Sequence, residues 1–433
     1  MKIRLLLVAA LAAAMGSMLA AAPASAKSPV SAGTPLATGL LSPRGLKMGP
    51  DGMLYVAEAG SGGDTVVTIE GQTSHSGLTG RISKIDPATG TRTTVIDGLP
   101  SNAGPEGDSV GPADVAFIGN QLYYVQTHGG AAYGFAGRPT GVYKVTGGSA
   151  QLVADIGAFN IANPVTDISS GTQKDIEPGG NPYSMTVRDG AFYVVDGNQN
   201  QMMRVTTDGA ISRLTEFPGH PVATGIAQSS SSGPFYVSTL GQFPFAAADG
   251  TVVRVGVPTG VRTKVAGGVS SITDVEFSAG GQLYALSFGD QATDPNAPAP
   301  WNFFSGKILK VDTSSGAMTP IVTGFMFPTS LIFAGDTAYV SNGGVSIPGL
   351  VDGEIWQIPN FSSVKPPAAT PTIAPAAPTA TPSGGTGTIS GPNTGSGGMD
   401  PLSAEARPAW IALALAMAAA ALGGTGRVAR RRR

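Results

Sequence analysis

A tripeptide centred on tyrosine recurs six times, and it limits the fold more than any other feature of the chain. Leu54-Tyr55-Val56 is followed by Leu122-Tyr123-Tyr124, Phe192-Tyr193-Val194, Phe235-Tyr236-Val237, Leu283-Tyr284-Ala285 and Ala338-Tyr339-Val340. A second apolar run follows each copy, at residues 82–85, 142–145, 202–205, 252–255, 308–311 and 355–358, and a third precedes each tyrosine. Between these runs stand Asp51-Gly52, Gly119-Asn120, Asp189-Gly190, Gly280-Gly281, Gly147-Gly148 and Asp208-Gly209. Such pairs tolerate the positive φ of tight hairpin turns. Short strands joined by tight turns and repeated at a fixed period are four-stranded antiparallel units arranged radially. The pattern predicts an all-β fold: a six-bladed β-propeller of four-stranded blades over residues 27–362.

The last unit ends at Ile358-Pro359 without its fourth strand. A surplus strand lies at the other end, where residues 34–40 resemble the fourth strand at 93–99. The N-terminal strand is therefore expected to complete blade six, removing two open sheet edges that would otherwise invite association.

The 433 residues include no cysteine, which excludes disulfide scaffolds, thiolate zinc sites and cysteine nucleophiles. The three histidines (His75, His128, His220) form no His-Glu-x-x-His pattern. Lys and Arg total 26 against 28 Asp and Glu, so the basic surplus that nucleic-acid binding needs is missing.

Both ends depart from the blade pattern. Lys2 and Arg4 precede an apolar run and small residues up to Ala26, the signature of a signal peptide over 1–26. Residues 363–398 are rich in Pro, Thr, Gly and Ser and read as a disordered stalk. Residues 399–433 carry an apolar segment and an Arg tail, a hydrophobic C-terminal anchor reading as transmembrane. Within the stalk, Pro392, Thr394 and Gly395 resemble the Leu-Pro-x-Thr-Gly signal that sortases cut, with Gly391 in place of the leucine. Sortase linkage to the cell wall and a simple membrane span both place the propeller outside the cell, tethered by its C-terminus. Setting aside two basic residues of the leader, and six basic and two acidic residues after Thr394, leaves 18 bases and 26 acids, a net −8. An acidic extracellular domain favours cations or neutral ligands over nucleic acid.

In such a meander the long insertions (60–80, 101–111, 128–141, 158–180 and 289–306) all leave from one face, and that face is the expected binding surface. A residue type repeated in every blade reads as framework. The tyrosine column is accordingly read as packing between blades, and the column Lys84, Lys144, Arg204, Arg254, Lys310 as a solvated strand position. Chemically varied columns are the candidates. Three residues beyond each tyrosine stand Glu58, Gln126, Asp196, Thr239, Ser287 and Asn342. On the innermost strand stand Gly45, Asp114, Ser184, Gly225, Asp274 and Ser330. The candidate ligand-binding residues are Glu58, Asp114, His128, Asp196, His220, Asp274 and Asn342. Asp114 and Asp274, in blades facing each other, would suit Ca2+, or would satisfy local backbone N–H groups instead. No nucleophile elbow accompanies His128 or His220, so no catalytic residue is assigned.

The stretch from Leu41-Ser42-Pro43-Arg44-Gly45-Leu46 to Tyr55-Val56-Ala57-Glu58-Ala59-Gly60, with Gly111-Pro112-Ala113-Asp114-Val115-Ala116-Phe117, resembles the ScyD/ScyE family. Its blade pattern is shared with NHL-repeat propellers. The resemblance implies a secreted propeller and brings no settled catalytic residues. Two function classes follow. One is a surface-displayed module that binds a small molecule, glycan or protein; the other is a calcium- or quinone-dependent enzyme of the gluconolactonase or sugar-dehydrogenase type. The lack of a catalytic set favours the first.

Overall fold

The computed structural model describes residues 30–69, 72–104, 108–166, 177, 179–242, 245–291, 301–345 and 352–367. The expected leader, the anchor, the motif at 391–395 and the stalk beyond Pro367 lie outside the described residues. No helix among the described residues is long and apolar enough to cross a membrane.

Among the described residues six antiparallel sheets form, each built on four strands, A to D, in chain order. Blade one comprises Pro43–Met48, Leu54–Glu58, Gln72–Ile85 and Arg92–Ala103; blade two Pro112–Ile118, Gln121–Gln126, Gly141–Thr146 and Ser149–Asp155. Blade three comprises Pro182–Arg188, Ala191–Asp196, Gln201–Thr206 and Ile211–Glu216; blade four Ala223–Gln228, Phe235–Thr239, Gly250–Val255 and Arg262–Val269. Blade five comprises Ile272–Phe277, Leu283–Ser287, Gly306–Val311 and Met318–Phe325. Blade six takes Ser330–Ala334, Thr337–Asn342 and Gly353–Ile358, and its fourth strand is Thr34–Leu40 from the N-terminus. The ring is closed in the way the sequence led us to expect.

Among the described residues there is one apolar core for each of the six blade interfaces. The closing interface joins Ala37, Leu40 and Ile355 of blade six to Leu46, Leu54, Val56 and Ile85 of blade one. The tyrosine column supplies aromatic contacts between successive blades: Tyr55 on Phe117, Tyr123 on Phe192, Tyr193 on Phe235, Tyr236 on Phe277 and Tyr284 on Phe333, with centroids 4.6–5.3 Å apart. Rings at such separations add to area burial through their quadrupoles.

The insertions on the loop face are more ordered than their composition suggests. Within 60–80 lies an extra strand, Thr65–Ile69, paired antiparallel with the start of strand C, which lengthens that strand to 14 residues. Another insertion opens with a helix, Ile156–Ala162, whose N-cap Asp155 accepts the Ala158 N–H.

Candidate functional site

The six A strands neighbour one another around the axis and line a central channel. Asp114 and Asp274 both lie on this ring and are buried. Asp114 accepts N–H bonds from Val115 (2.8 Å) and, across the blade boundary, from Met185 (2.9 Å). Asp274 repeats the arrangement with Val275 (2.8 Å) and Leu331 (2.8 Å), and adds the Ser330 hydroxyl at 3.1 Å. Each carboxylate thus ties its own inner strand to that of the next blade. The preceding blade supplies the room: a Cβ on Gly45 would sit 2.0 Å from Asp114 Oδ1, and one on Gly225 2.4 Å from Asp274 Oδ1.

Sequence reasoning missed the cation between them. Lys47, one turn of the pleat below Gly45, places Nζ 3.9 Å from Asp114 Oδ2. Burial works to lower its pKa, but Asp114, Glu276 and Asp274 outweigh burial and hold it above the ordinary lysine value. Burial in turn pushes Asp274 up to about 6 and Glu276 up to about 7, with Lys47 opposing the shift in both. Tyr183 completes the lining beside Arg44, and burial pushes its hydroxyl well above the ordinary tyrosine value. Calcium takes about six to eight oxygen ligands. Here the carboxylates spend oxygens on backbone N–H groups, and an ammonium already lies among them. Among the described residues no group of three or more Asp, Glu or His side chains is placed to hold a metal ion. Of the two roles open to Asp114 and Asp274, the geometry fits the local hydrogen bonds.

Where strand B reaches the loop face, most of the varied column does one job with different chemistry, while Thr239 meets Thr251 of its own blade at 2.9 Å. Glu58 accepts the Leu41 N–H at 2.7 Å, Gln126 donates to Pro100 O at 3.0 Å, Ser287 donates to Ser270 O at 2.9 Å, and Asn342 accepts the Met326 N–H at 2.8 Å. Each bond fixes the connection arriving from the previous blade. Glu58 also meets Arg81 at 2.8 Å, and Asn342 donates to Glu354 at 3.1 Å. Asp196 accepts the N–H groups of Asn181, Asn198 and Gln199 and the Asn160 side chain, all at 2.9–3.1 Å. Its burial raises its pKa to about 6 in spite of those bonds.

His128 has left-handed backbone (φ 52°), lies 2.8 Å through Nε2 from Glu177 Oε2 and stacks on Tyr133 at 4.4 Å. Its Nδ1 is buried without a partner among the described residues. His128 and Asp196 share a neighbourhood, because Glu177 is anchored by Asn198 and Gln199 beside Asp196. His220 lies apart, between blades three and four, buried with neither ring nitrogen partnered among the described residues. Beside the same connection a cavity of about 340 Å³ is lined by Asn200, Glu216, Phe217, Pro218 and Arg262, among others.

Opposite this region, over blades four to six, the loop face carries an aromatic shelf. Phe288 stacks on Phe327 (4.7 Å, 18°) and meets Trp301 edge-on (5.3 Å); Phe245 and Phe303 flank them at 6.0 and 6.1 Å. Phe245, Phe304 and Phe327 have φ of 62°, 56° and 48°. Left-handed backbone is uncommon for bulky side chains and gathers at functional sites. Phe303 is 38% exposed, while Trp301 Nε1 is buried without an acceptor among the described residues.

No protein-family model matches the chain, and no curated protein matches it. Among solved structures it is similar to a PQQ-bound aldose sugar dehydrogenase from Streptomyces coelicolor (14% identity, 77% of this chain and 99% of that one, TM-score 0.46). It is also similar to a gluconolactonase from Xanthomonas campestris (13%, 76% and 98%, 0.40) and a virginiamycin B lyase from Staphylococcus aureus (12%, 75% and 98%, 0.40). All are propellers, and at these identities the likeness extends to the fold alone.

Proposed function

We propose that this protein is a binding propeller displayed at the cell surface, holding a glycan or another ring-shaped small molecule on the aromatic shelf of its loop face. One observation carries the reading. On the loop face Trp301 and Phe303 stay partly open to water beside the buried Phe327, two rings of the shelf (Phe245 and Phe327) sit on left-handed backbone, and the Trp301 indole N–H lacks an acceptor among the described residues. The polar rim supplies Asn302 and the ion pair of Lys307 with Asp290 at 2.6 Å. Flat rings bounded by hydrogen-bonding groups suit ligands with one apolar face and several hydroxyls. The channel carboxylates and the column at the end of strand B are, by contrast, committed to bonds within the fold.

A panel of oligosaccharides tested against the full-length protein by glycan array and calorimetry checks this. Phe303→Ala, at an exposed position, should weaken the best binder at least about tenfold, the loss expected of a hot-spot aromatic, without moving the melting temperature. Retained affinity in that variant would remove the shelf from the site. Surface display rests on the motif at 391–395 and the segment after it. Thr394→Ala should abolish wall-linked protein if sortase processing operates, and should change nothing if the segment is a membrane span.

A further inference from the structure

An open sheet edge is the part of a β-protein most prone to pair with another chain, and natural folds blunt it with bulges, charge or proline. Every outer strand of this propeller is treated so. All six C–D pairings contain a register shift, and Arg92, Arg213, Arg262, Lys264, Pro320 and Pro35 add charge or proline to five of them. Blade one carries two further edge strands that are not; one, Ser109–Val110, is only two residues long, and the other is Thr65–Ile69. It pairs with strand C of blade one in unbroken register, and its sequence Thr-Val-Val-Thr-Ile holds neither charge nor proline. Its other edge pairs with no strand among the described residues. The alternation of the strand turns Val67 toward Gly134, while Val66 stands 62% exposed and Thr68 is exposed as well. Strand C continues about nine residues beyond its pairing with strand B, roughly 30 Å of rise, so the hairpin projects from the loop face.

We propose that Thr65–Ile69 is a self-association edge, pairing antiparallel with the same strand of a second copy of this chain. A two-fold axis perpendicular to the sheet through Val67 sets Val67 against its counterpart and Val66 against Thr68. Within the strand these are β-branched pairs, which stabilise sheets, while the same register, carried on in sequence, sets the flanking acids Asp64 and Glu70 opposite each other, a repulsion that salt screens. A foreign peptide adding to an edge gains its specificity from pockets for alternate side chains. Val66 stands 62% exposed, and the two-fold sets it against Thr68 of the second copy, so the symmetric occupant is the one this edge fits. The inference concerns blade one and does not depend on the ligand reading of the shelf.

The test is sedimentation velocity on the full-length protein over about 5 to 500 µM, the range of a small transient interface. Wild type is expected to pass from monomer to dimer. Val66→Lys with Thr68→Lys should stay monomeric throughout, with unchanged circular dichroism and melting temperature. Leu78→Lys, at an exposed position off the edge strand, should still dimerise. Because the chain has no cysteine, Val67→Cys provides a single thiol on the axis and should oxidise to a covalent dimer, whereas Leu78→Cys should not. A monomeric wild type at every concentration overturns the proposal. So does a dimer untouched by the paired lysines, or equal cross-linking from positions 67 and 78, either of which would place the contact elsewhere.

Discussion

At Gly45 a single methyl group decides whether the channel can be built. A Cβ there would lie 2.0 Å from Asp114 Oδ1 and 2.7 Å from Asp114 Cα, and the backbone atom cannot swing away. Gly45→Ala should therefore cost about 1–3 kcal/mol as overpacking, read as a lowered denaturant midpoint. Gly280→Ala, whose new Cβ finds only Ser278 Oγ at 3.9 Å, should change little. The same cluster predicts a pH dependence. Asp274 and Glu276 have pKa values raised to about 6 and about 7 from 3.8 and 4.5. The unfolded chain gives up those protons first, so the folded state loses relative stability as pH climbs from about 4 to 7. Glu276→Gln should flatten that decline, raising the melting temperature at pH 7.5 and leaving it nearly unchanged at pH 4.5; an equal effect at both would show that Glu276 does not titrate as described. The sequence exposes Asp114 and Asp274 because a column of equivalent positions picks them out. It hides their partner. Lys47 and Glu276 stand two residues further along strand A, where Ala116, Thr186, Ala227 and Ile332 fill the other blades, and only closure of the ring shows that the two charges share a field.

Among the elements, those set by local chemistry were the legible ones. Tight turns of Gly with Asp or Asn mark the hairpins, and the strands between them fell where the repeats put them. The extra strand Thr65–Ile69 escaped because five β-branched residues inside a Gly- and Ser-rich insertion carry no repeat to compare with. The helix Ile156–Ala162 escaped for a related reason: seven residues hold too few turns for a 3.6 period to stand out, although Asp155 is a good N-cap. That helix nevertheless positions the loop face. Its Asn160 donates to Asp196 at 2.9 Å and accepts from Gln201 at 2.7 Å, and Gln201 in turn accepts from Arg213. Asn160→Ala removes the partners of Asp196 Oδ2 and Gln201 Nε2 together, both buried. It should cost about 2 kcal/mol, more than the loss of an ordinary exposed hydrogen bond, whereas Asp155→Ala, which removes only the cap, should cost about 1 kcal/mol. Chemical denaturation of both variants distinguishes a network that supports the face from a helix that merely covers it.

For the whole molecule the decisive contact joins its two ends. Thr34–Leu40 pairs with Gly353–Ile358, so the ring is held by hydrogen bonds between residues more than 300 positions apart. The interface beneath them buries Ala37 and Leu40 with Leu46 and Ile355. Opening this seam would expose an apolar edge on blade six and free blade one from its neighbour, which makes it the natural first step of unfolding. Thr34 and Gln357 are direct partners in the register, and the chain contains no other thiol to compete. Thr34→Cys with Gln357→Cys should therefore form a disulfide that locks the ring. In the chain-entropy description a loop of this length is worth about 6 kcal/mol, less whatever strain the bond introduces. The oxidised variant should melt several degrees above wild type, and the gain should vanish on reduction. If the seam opens only after the blades have already come apart, unfolding of the oxidised protein will begin at the same temperature as that of the reduced one. That result would move the weakest interface of the ring to another pair of blades.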